Sequence, residues 1–446
     1  MIMNVLKKQS MNNEGCGKMS RMSYEECVSY CGFHNLPEGI DQLFKSYSDN
    51  TQADLISAEF FSEVCTRFEI PMDKQEYLHN AMKAIEADEV LFSFTKFIIW
   101  DMCNARNRCE MDDYQSLTPT CMSEYGEAYS LLLLLACVEP SMKLLEKRGV
   151  PVEYYKDIPY SPMKAQFKKL KESGDVTVSD FPWDINFYTC AIYLMDRFYF
   201  IPYKFGDNFT MYRSKDTGKV IALRHAGEEF RSDGQFNGMN DVFDQKGKFV
   251  SEWFETETEI TANPISPMGY VKCEAVTLNK NEWEVVLQKG DILLALHVPS
   301  GPGYTPERVK TSMTLAIDFY HTYYPELDIK GFWSESWLYD SRLSLVLEEE
   351  RSNIVKVQRQ FYLYPVAEGD GMLRYEAFGD WKADPLALEA KSSLHRAVQE
   401  YMKTGARFNT LSMIVLKEEI ERMGSMPYIL PEDIREFQHT VDNHMK

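Results

Sequence analysis

The sequence predicts an α+β protein: a helical N-terminal domain followed by a mixed αβ domain. Three observations carry this expectation. Residues 22–180 repeat apolar side chains at helical spacing. Beyond Phe181 the chain breaks into short β-rich segments separated by turn signals. Within that second half, Asp291 opens a strand, a glycine-containing loop and a well-capped helix.

The composition bounds the possibilities. At about 150 residues per domain, 446 residues suggest about three domains or two larger ones. A chain that is 44% hydrophobic and 26% charged folds rather than staying disordered. Its 48 Lys+Arg against 68 Asp+Glu give a net charge of −20, which argues against general binding of nucleic acid or of an anionic membrane surface. Ten cysteines without a Cys-x-x-Cys pair do not make a disulfide scaffold. Reduced thiols fit the cytoplasm. Cys27, Cys31 and His34 approach a metal cluster, but the i,i+4 cysteines also fit one buried helix face, and no metal is expected.

Residues 1–21 carry Lys7 and Lys8 but no apolar signal core, and are read as a mobile extension. The helical domain is expected over 22–180, with Ser57–Phe68, Lys74–Ala87 and Glu127–Arg148 among its helices. The apolar run Leu131–Val138 falls short of the ~20 residues of a membrane span and belongs to a core. Trp100, Tyr129, Tyr154 and Tyr155 are read as core or docking surface. Gly149, Pro151, Pro159 and Pro162 punctuate the end of this region.

The second domain is expected over 181–416. Its first strands are Arg197–Phe205, Phe209–Arg213, Lys219–His225, Phe249–Glu257 and Tyr270–Leu278, joined mostly by local antiparallel connections. Asp291–Pro299 (DILLALHVP) has the length and character of a central strand buried on both faces. Thr305 is then a natural N-cap, Pro306 suits the first helical position, and Glu307 suits the positive end of the dipole. The helix presents Val309, Met313, Ala316, Ile317, Tyr320 and Tyr324 on one face and ends before Pro325. Gly331–Leu338 and Asn353–Pro365 read as further β segments, with Trp333 and Trp337 alternating on one face. A helix over Lys391–Lys403 and an apolar segment over Phe408–Leu416 close the domain. A charged helical tail, 417–446, is broken by Pro427 and Pro431.

A strand, a glycine loop and a capped helix form a generic anion site, because free N–H groups and the helix dipole point outward together. Gly301 and Gly303 would let a pyrophosphate approach the main chain. The competing reading is a tight turn that needs these glycines for geometry alone. The loop is neither a Walker A motif nor a Gly-x-Gly-x-x-Gly fingerprint.

The stretch Leu287–Tyr320, followed by Ser336-Trp337-Leu338, Asn353-Ile354-Val355 and Ser393-Leu394-His395-Arg396-Ala397, resembles the bacterial acyltransferase-domain family with a helical N-terminal domain and a GNAT-like C-terminal domain. Arg231-Ser232-Asp233-Gly234-Gln235 is also similar to that family, and the resemblance spans roughly residues 22–416. It implies a GNAT-like acyl-CoA-binding domain in which acyl-CoA, acetyl or longer, lies in a splay between central parallel strands. Carried over, Leu296, His297 and Val298 would pair with pantetheine, and Ser300, Gly301, Gly303, Tyr304 and Thr305 would hold the pyrophosphate. Pro299-Ser300-Gly301-Pro302-Gly303 replaces the usual GNAT loop, and Pro302 removes one donor.

Acyl transfer to an amine needs a neutral amine, donors for the oxyanion, and a proton for the leaving thiolate. His297, at the end of the central strand, suits a base acting through water. Glu335, on the next inferred strand, would converge with it and gain basicity in an apolar cleft. Tyr339 lies where many GNAT enzymes place a phenol that protonates sulfur. Each has an ordinary packing role as its alternative. Arg231 and Asp233 would bind the carboxylate or amine of an acceptor, or form a structural salt bridge at a turn. No cysteine stands beside a plausible base, so an acyl-Cys route has no support. The implied activity is direct, acyl-CoA-dependent N-acyl transfer to a small amine acceptor, in a pocket shaped by the domain junction. Its rivals are a catalytically silent acyl-CoA sensor and a protein-interaction module on a GNAT scaffold.

Overall fold

The computed structural model describes residues 22–48, 54–105 and 113–444. The extension expected over 1–21 lies outside the described residues. The chain divides into two compact units: one runs to Met142 and includes Pro159–Thr189, the other comprises Lys143–Ile158 and Cys190–Lys446.

The first unit is helical, with α1 (Tyr24–Cys31), α2 (Ile40–Ser46), α3 (Ala58–Arg67), α4 (Met72–Ala87), α5 (Glu89–Ala105), most of α6 (Tyr129–Arg148), α7 (Tyr160–Ser173) and α8 (Phe181–Tyr188). Ser23 and Glu26 close a capping box on α1, which turns Cys27 and Cys31 inward as the i,i+4 spacing suggests. Phe44, Phe94 and Phe97 pack ring to ring. Leu131–Val138 are all buried. By length and composition alone the helix that contains them is apolar enough to cross a bilayer, but 72% of that window is buried within the protein.

In the second unit the strands are β1 (Tyr193–Met195), β2 (Phe198–Lys204), β3 (Phe209–Ser214), β4 (Val220–Arg224), β5 (Glu229–Phe230), β6 (Phe249–Val250), β7 (Trp253–Glu255), β8 (Glu259–Ala262), β9 (Pro264–Ser266), β10 (Tyr270–Val271), β11 (Val276–Asn279), β12 (Trp283–Leu287) and β13 (Ile292–His297). Then follow α9 (Pro306–Tyr323), β14 (Ile329–Ser336), α10 (Asn353–Gln358), β15 (Tyr362–Pro365), α11 (Gly371–Phe378), α12 (Ser393–Lys403), β16 (Leu411–Leu416) and α13 (Pro431–His444).

The main sheet has the order β1-β2-β13-β14-β16-β15. Its β13–β14 pair is parallel, joined by a crossover through α9, and the others are antiparallel. Thr305 caps α9 by accepting the Arg308 amide, and Val309, Met313, Ala316 and Tyr320 are buried along its inner stripe. A core of Phe209, Met211, Ala222, Leu293, Tyr362, Tyr364 and Ile414 joins the main sheet to a second sheet, β10-β9-β4-β3-β12.

Three local expectations need correction. Asn353–Gln358 is a helix rather than the start of a strand. Ser352 caps it, and Gln358 Nε2 donates to the carbonyls of Leu338 (2.5 Å) and Asp340 (3.0 Å), so tertiary hydrogen bonds override the β preference of Ile354, Val355 and Val357. Trp337 does not share a strand face with Trp333, because Ser336 accepts the Leu338 amide and turns the chain into a 3₁₀ segment, Trp337–Tyr339. Pro431 opens α13 instead of breaking a helix, at the position where a missing N–H costs nothing.

Candidate active site

The register of the main sheet defines an opening. Pairing between β13 and β14 ends at Ala295↔Trp333. Beyond that point each strand keeps only its outer neighbour: β13 continues along β2 to His297↔Tyr199, and β14 continues along β16 to Ser336↔Leu411. The facing edges from Leu296 and from Ser334 onward therefore have no strand partner across the gap. Such an edge offers main-chain donors and acceptors to an extended ligand.

The loop after β13 presents a second set of main-chain groups. Arg197, in the β1–β2 turn region, reaches across to it. Its Nε donates to the Pro302 carbonyl at 2.8 Å, and its Nη2 donates to Pro299 at 2.5 Å and Gly301 at 3.0 Å. One guanidinium thus holds three loop carbonyls. Among the described residues no protein acceptor is found for the amides of Ser300, Gly301 or Gly303. Gly301 and Gly303 have φ of 111° and 100°, a region that favours glycine. At Gly303 a Cβ would also lie 2.7 Å from Arg308 Nη1, whose guanidinium is held in two hydrogen bonds by Asp196. The amide of Thr305 is internal, donating to Gly303 at 3.1 Å, and the Thr305 side chain serves the helix cap. Glu307 folds its carboxylate onto its own amide and Thr305, which lowers its pKa. The loop borders a groove of about 540 Å³, whose far wall includes Leu347, Asn353, Ile354 and Leu394.

His297 and Glu335 each lie two residues past the last shared pair, so strand alternation puts them on one face of the sheet. His297 is half-buried, and burial pulls its imidazole down to about 4, so it is neutral at physiological pH. Glu335 is half-buried, and burial raises its carboxyl above the ordinary value, with Glu368 and Asp207 adding like charge. It accepts a 3.1 Å hydrogen bond from Ser412, its register partner on β16.

Next to Ser412 in register stands Tyr364, whose hydroxyl receives Trp333 Nε1 at 2.8 Å and donates to Asp207. Burial raises the Asp207 carboxyl as well. Sequence reasoning missed Asp207 and Tyr364, because only the sheet order brings the β2–β3 turn to this face.

The opposite face holds two phenols. Tyr339 is fully buried and Tyr304 turns its ring inward against Phe198. Among the described residues neither hydroxyl has a hydrogen-bond partner of normal geometry. Burial pushes Tyr339 up to about 12, while the hydroxyls of Ser334 and Tyr304 face it. The Tyr304 phenol is raised further. With its ring inside, any contact of Tyr304 with an outside anion falls to its main chain.

Arg231 and Asp233 do not join these groups. They form a buried chelate, with Nε and Nη2 of Arg231 on the two Asp233 oxygens at 3.1 and 3.0 Å. Arg342 adds a 2.9 Å bond to Asp233, and Gln235 its amide at 3.1 Å. Among the described residues no group of His, Cys, Asp and Glu side chains is arranged to hold a metal ion.

Residues 212–413 match the family described as the GNAT-like C-terminal domain, so the sheet-bearing unit is GNAT-like. Three solved acyltransferase structures are similar to this chain, each match covering 89% of it and 99% of the solved chain. A mutant in complex with octanoyl-CoA is 16% identical, with a TM-score of 0.47. A complex with decanoyl-CoA and teicoplanin is 17% identical, with a TM-score of 0.46. A complex with decanoyl-CoA is 14% identical, with a TM-score of 0.48. No curated protein matches the sequence.

Proposed function

We propose that this protein is an acyl-CoA-dependent N-acyltransferase that transfers the acyl group directly to the amine of a small acceptor. One observation carries the reading: β13 and β14 part at Ala295 and Trp333 beside a loop whose carbonyls are tied back by Arg197, while three of its amides find no acceptor among the described residues. The amides of Ser300, Gly301 and Gly303, with the dipole of α9, would hold the pyrophosphate. The free edge at Leu296, His297 and Val298 would pair with the pantetheine amides. The match to the GNAT-like family supports the same use of the opening.

In the reaction the amine nitrogen attacks the thioester carbonyl, a C–N bond forms, and the C–S bond breaks. Glu335 takes the ammonium proton through water, since burial raises its basicity. Neutral His297, on the same face, orients that water or the amine. Tyr339, protonated up to about pH 12, gives its proton to the departing thiolate and regains one from the nitrogen, which sheds its second proton as the amide forms. The eight described cysteines are free thiols, which supports a reducing compartment such as the cytoplasm.

Turnover assays with acetyl-CoA and a long-chain acyl-CoA, following free thiol release against a panel of amines, test the reading. Release that depends on the amine supports it. Binding without release for every amine identifies a silent acyl-CoA sensor instead.

A further inference from the structure

A second cavity lies apart from the nucleotide groove. It measures about 260 Å³ and is lined by Arg231, Asp233, Arg342, Tyr401, Ala406 and Arg407, among others. Two of its guanidiniums are deeply buried, Arg231 at 5% and Arg342 at 7% exposure, while Arg407 is half-buried. Asp233 cannot attract a cationic ligand strongly, because both its oxygens are already bound by Arg231, and one of them also by Arg342. Asp340 lies behind Arg342 at 3.5 Å and accepts the Asn409 amide. Three arginines stand against the two aspartates in contact with them, and Arg407 has no carboxylate partner among the described residues.

The donors are not all used. Arg231 commits Nε and Nη2 to Asp233, and no protein acceptor is found for its Nη1 among the described residues. Among the described residues Arg407 donates only to the carbonyls of Gly405 and Ala406. Buried guanidiniums with spare planar donors are suited to a carboxylate. The volume falls below that of pockets for drug-sized ligands, so the cavity fits a small group rather than a nucleotide. Its position also matters. Arg342 follows Tyr339 by three residues, so their Cα atoms lie within about 10 Å.

We infer that this cavity binds the carboxylate of the acyl acceptor, which makes the acceptor a small amino acid or an amine that carries a carboxylate. The assignment of the ligand as acceptor rests on the acyl-transfer reading; the carboxylate site itself does not.

Calorimetric titration with 4-aminobutyrate and with its amide, 4-aminobutanamide, tests the inference. The acid binds saturably and the amide binds about tenfold or more weaker. Arg407→Ala, which removes a rim donor, and Ala406→Phe, which fills the cavity from its mouth, each weaken the acid by about tenfold or more and leave CoA binding unchanged. Neither variant disturbs the Arg231–Asp233–Arg342 network, so both are expected to fold. Equal binding of acid and amide, absence of saturable binding by the acid, or indifference to both variants overturns the inference. Inorganic phosphate binding more tightly than the acid overturns the carboxylate assignment. Failure of CoA to bind the wild-type protein defeats the acyl-transfer reading separately.

Discussion

Arg197 donates from Nη2 to the Pro299 carbonyl at 2.5 Å, tying the turn between β1 and β2 to the second residue after the central strand. With its bonds to Gly301 and Pro302, the same guanidinium orients the loop proposed to hold pyrophosphate. Arg197→Ala should weaken CoA binding by about tenfold or more and cost about 1–3 kcal/mol of stability. Arg197→Lys should not rescue binding, because an ammonium lacks the planar fork that spans three carbonyls. Calorimetry and urea unfolding read the two effects. Full CoA affinity in Arg197→Ala would show that the loop needs no such anchor.

The two loop glycines should differ. Each has a φ near +100°, so an alanine at either costs about 1–3 kcal/mol in backbone strain. At Gly301 the added methyl enters open space, whereas at Gly303 it meets Arg308 Nη1 at 2.7 Å. Urea unfolding should therefore rank Gly303→Ala as clearly less stable than Gly301→Ala. The reverse order would contradict the packing described.

Tyr339→Phe separates stability from chemistry. Its hydroxyl is buried with no partner of normal geometry among the described residues, so its removal should leave stability unchanged or slightly raised. As the proposed proton donor to sulfur, it should lower kcat by about 10²-fold or more with little change in CoA affinity. A wild-type kcat in Tyr339→Phe removes it from the mechanism.

Glu335 makes a signed prediction about pH. Its folded-state pKa is raised, so the native chain binds this proton more tightly than the unfolded chain does. The contribution to stability is complete below the ordinary carboxylate pKa of about 4.3 and is lost as pH rises through the folded value. Glu335→Gln should thus gain stability relative to wild type as pH rises across that window, by denaturant unfolding at a series of pH values. Activity runs the other way: the base works deprotonated, so wild-type kcat rises through the same window and Glu335→Gln loses that limb. A flat stability difference would show that the carboxyl is not desolvated.

Local chemistry made part of this legible. The Thr305-Pro306 cap, the apolar run of β13 and the loop glycines are encoded within fifteen residues, and each stands where the sequence puts it. Strand alternation puts His297 and Glu335 on one face once their strands are paired. What stayed hidden depends on contacts distant in sequence. Nothing around Arg197 signals that it will hold a loop a hundred residues later. The inward turn of the Tyr304 ring depends on Phe198, and the carboxyl of Asp207 reaches Tyr364 only through the sheet order. Arg231 and Asp233 read equally as a site or a salt bridge; their chelate is visible only once Arg342 closes it.

The central claim is that the gap past Ala295 and Trp333 admits the arm of a thioester whose diphosphate rests on the Ser300–Gly303 amides. Isothermal titration of the wild-type protein with CoA tests it most directly, with Gly303→Ala as the paired variant. The account predicts saturable one-to-one binding by the wild type and binding weakened by about tenfold or more in the variant. A wild-type protein that stays folded and takes up no CoA would contradict it.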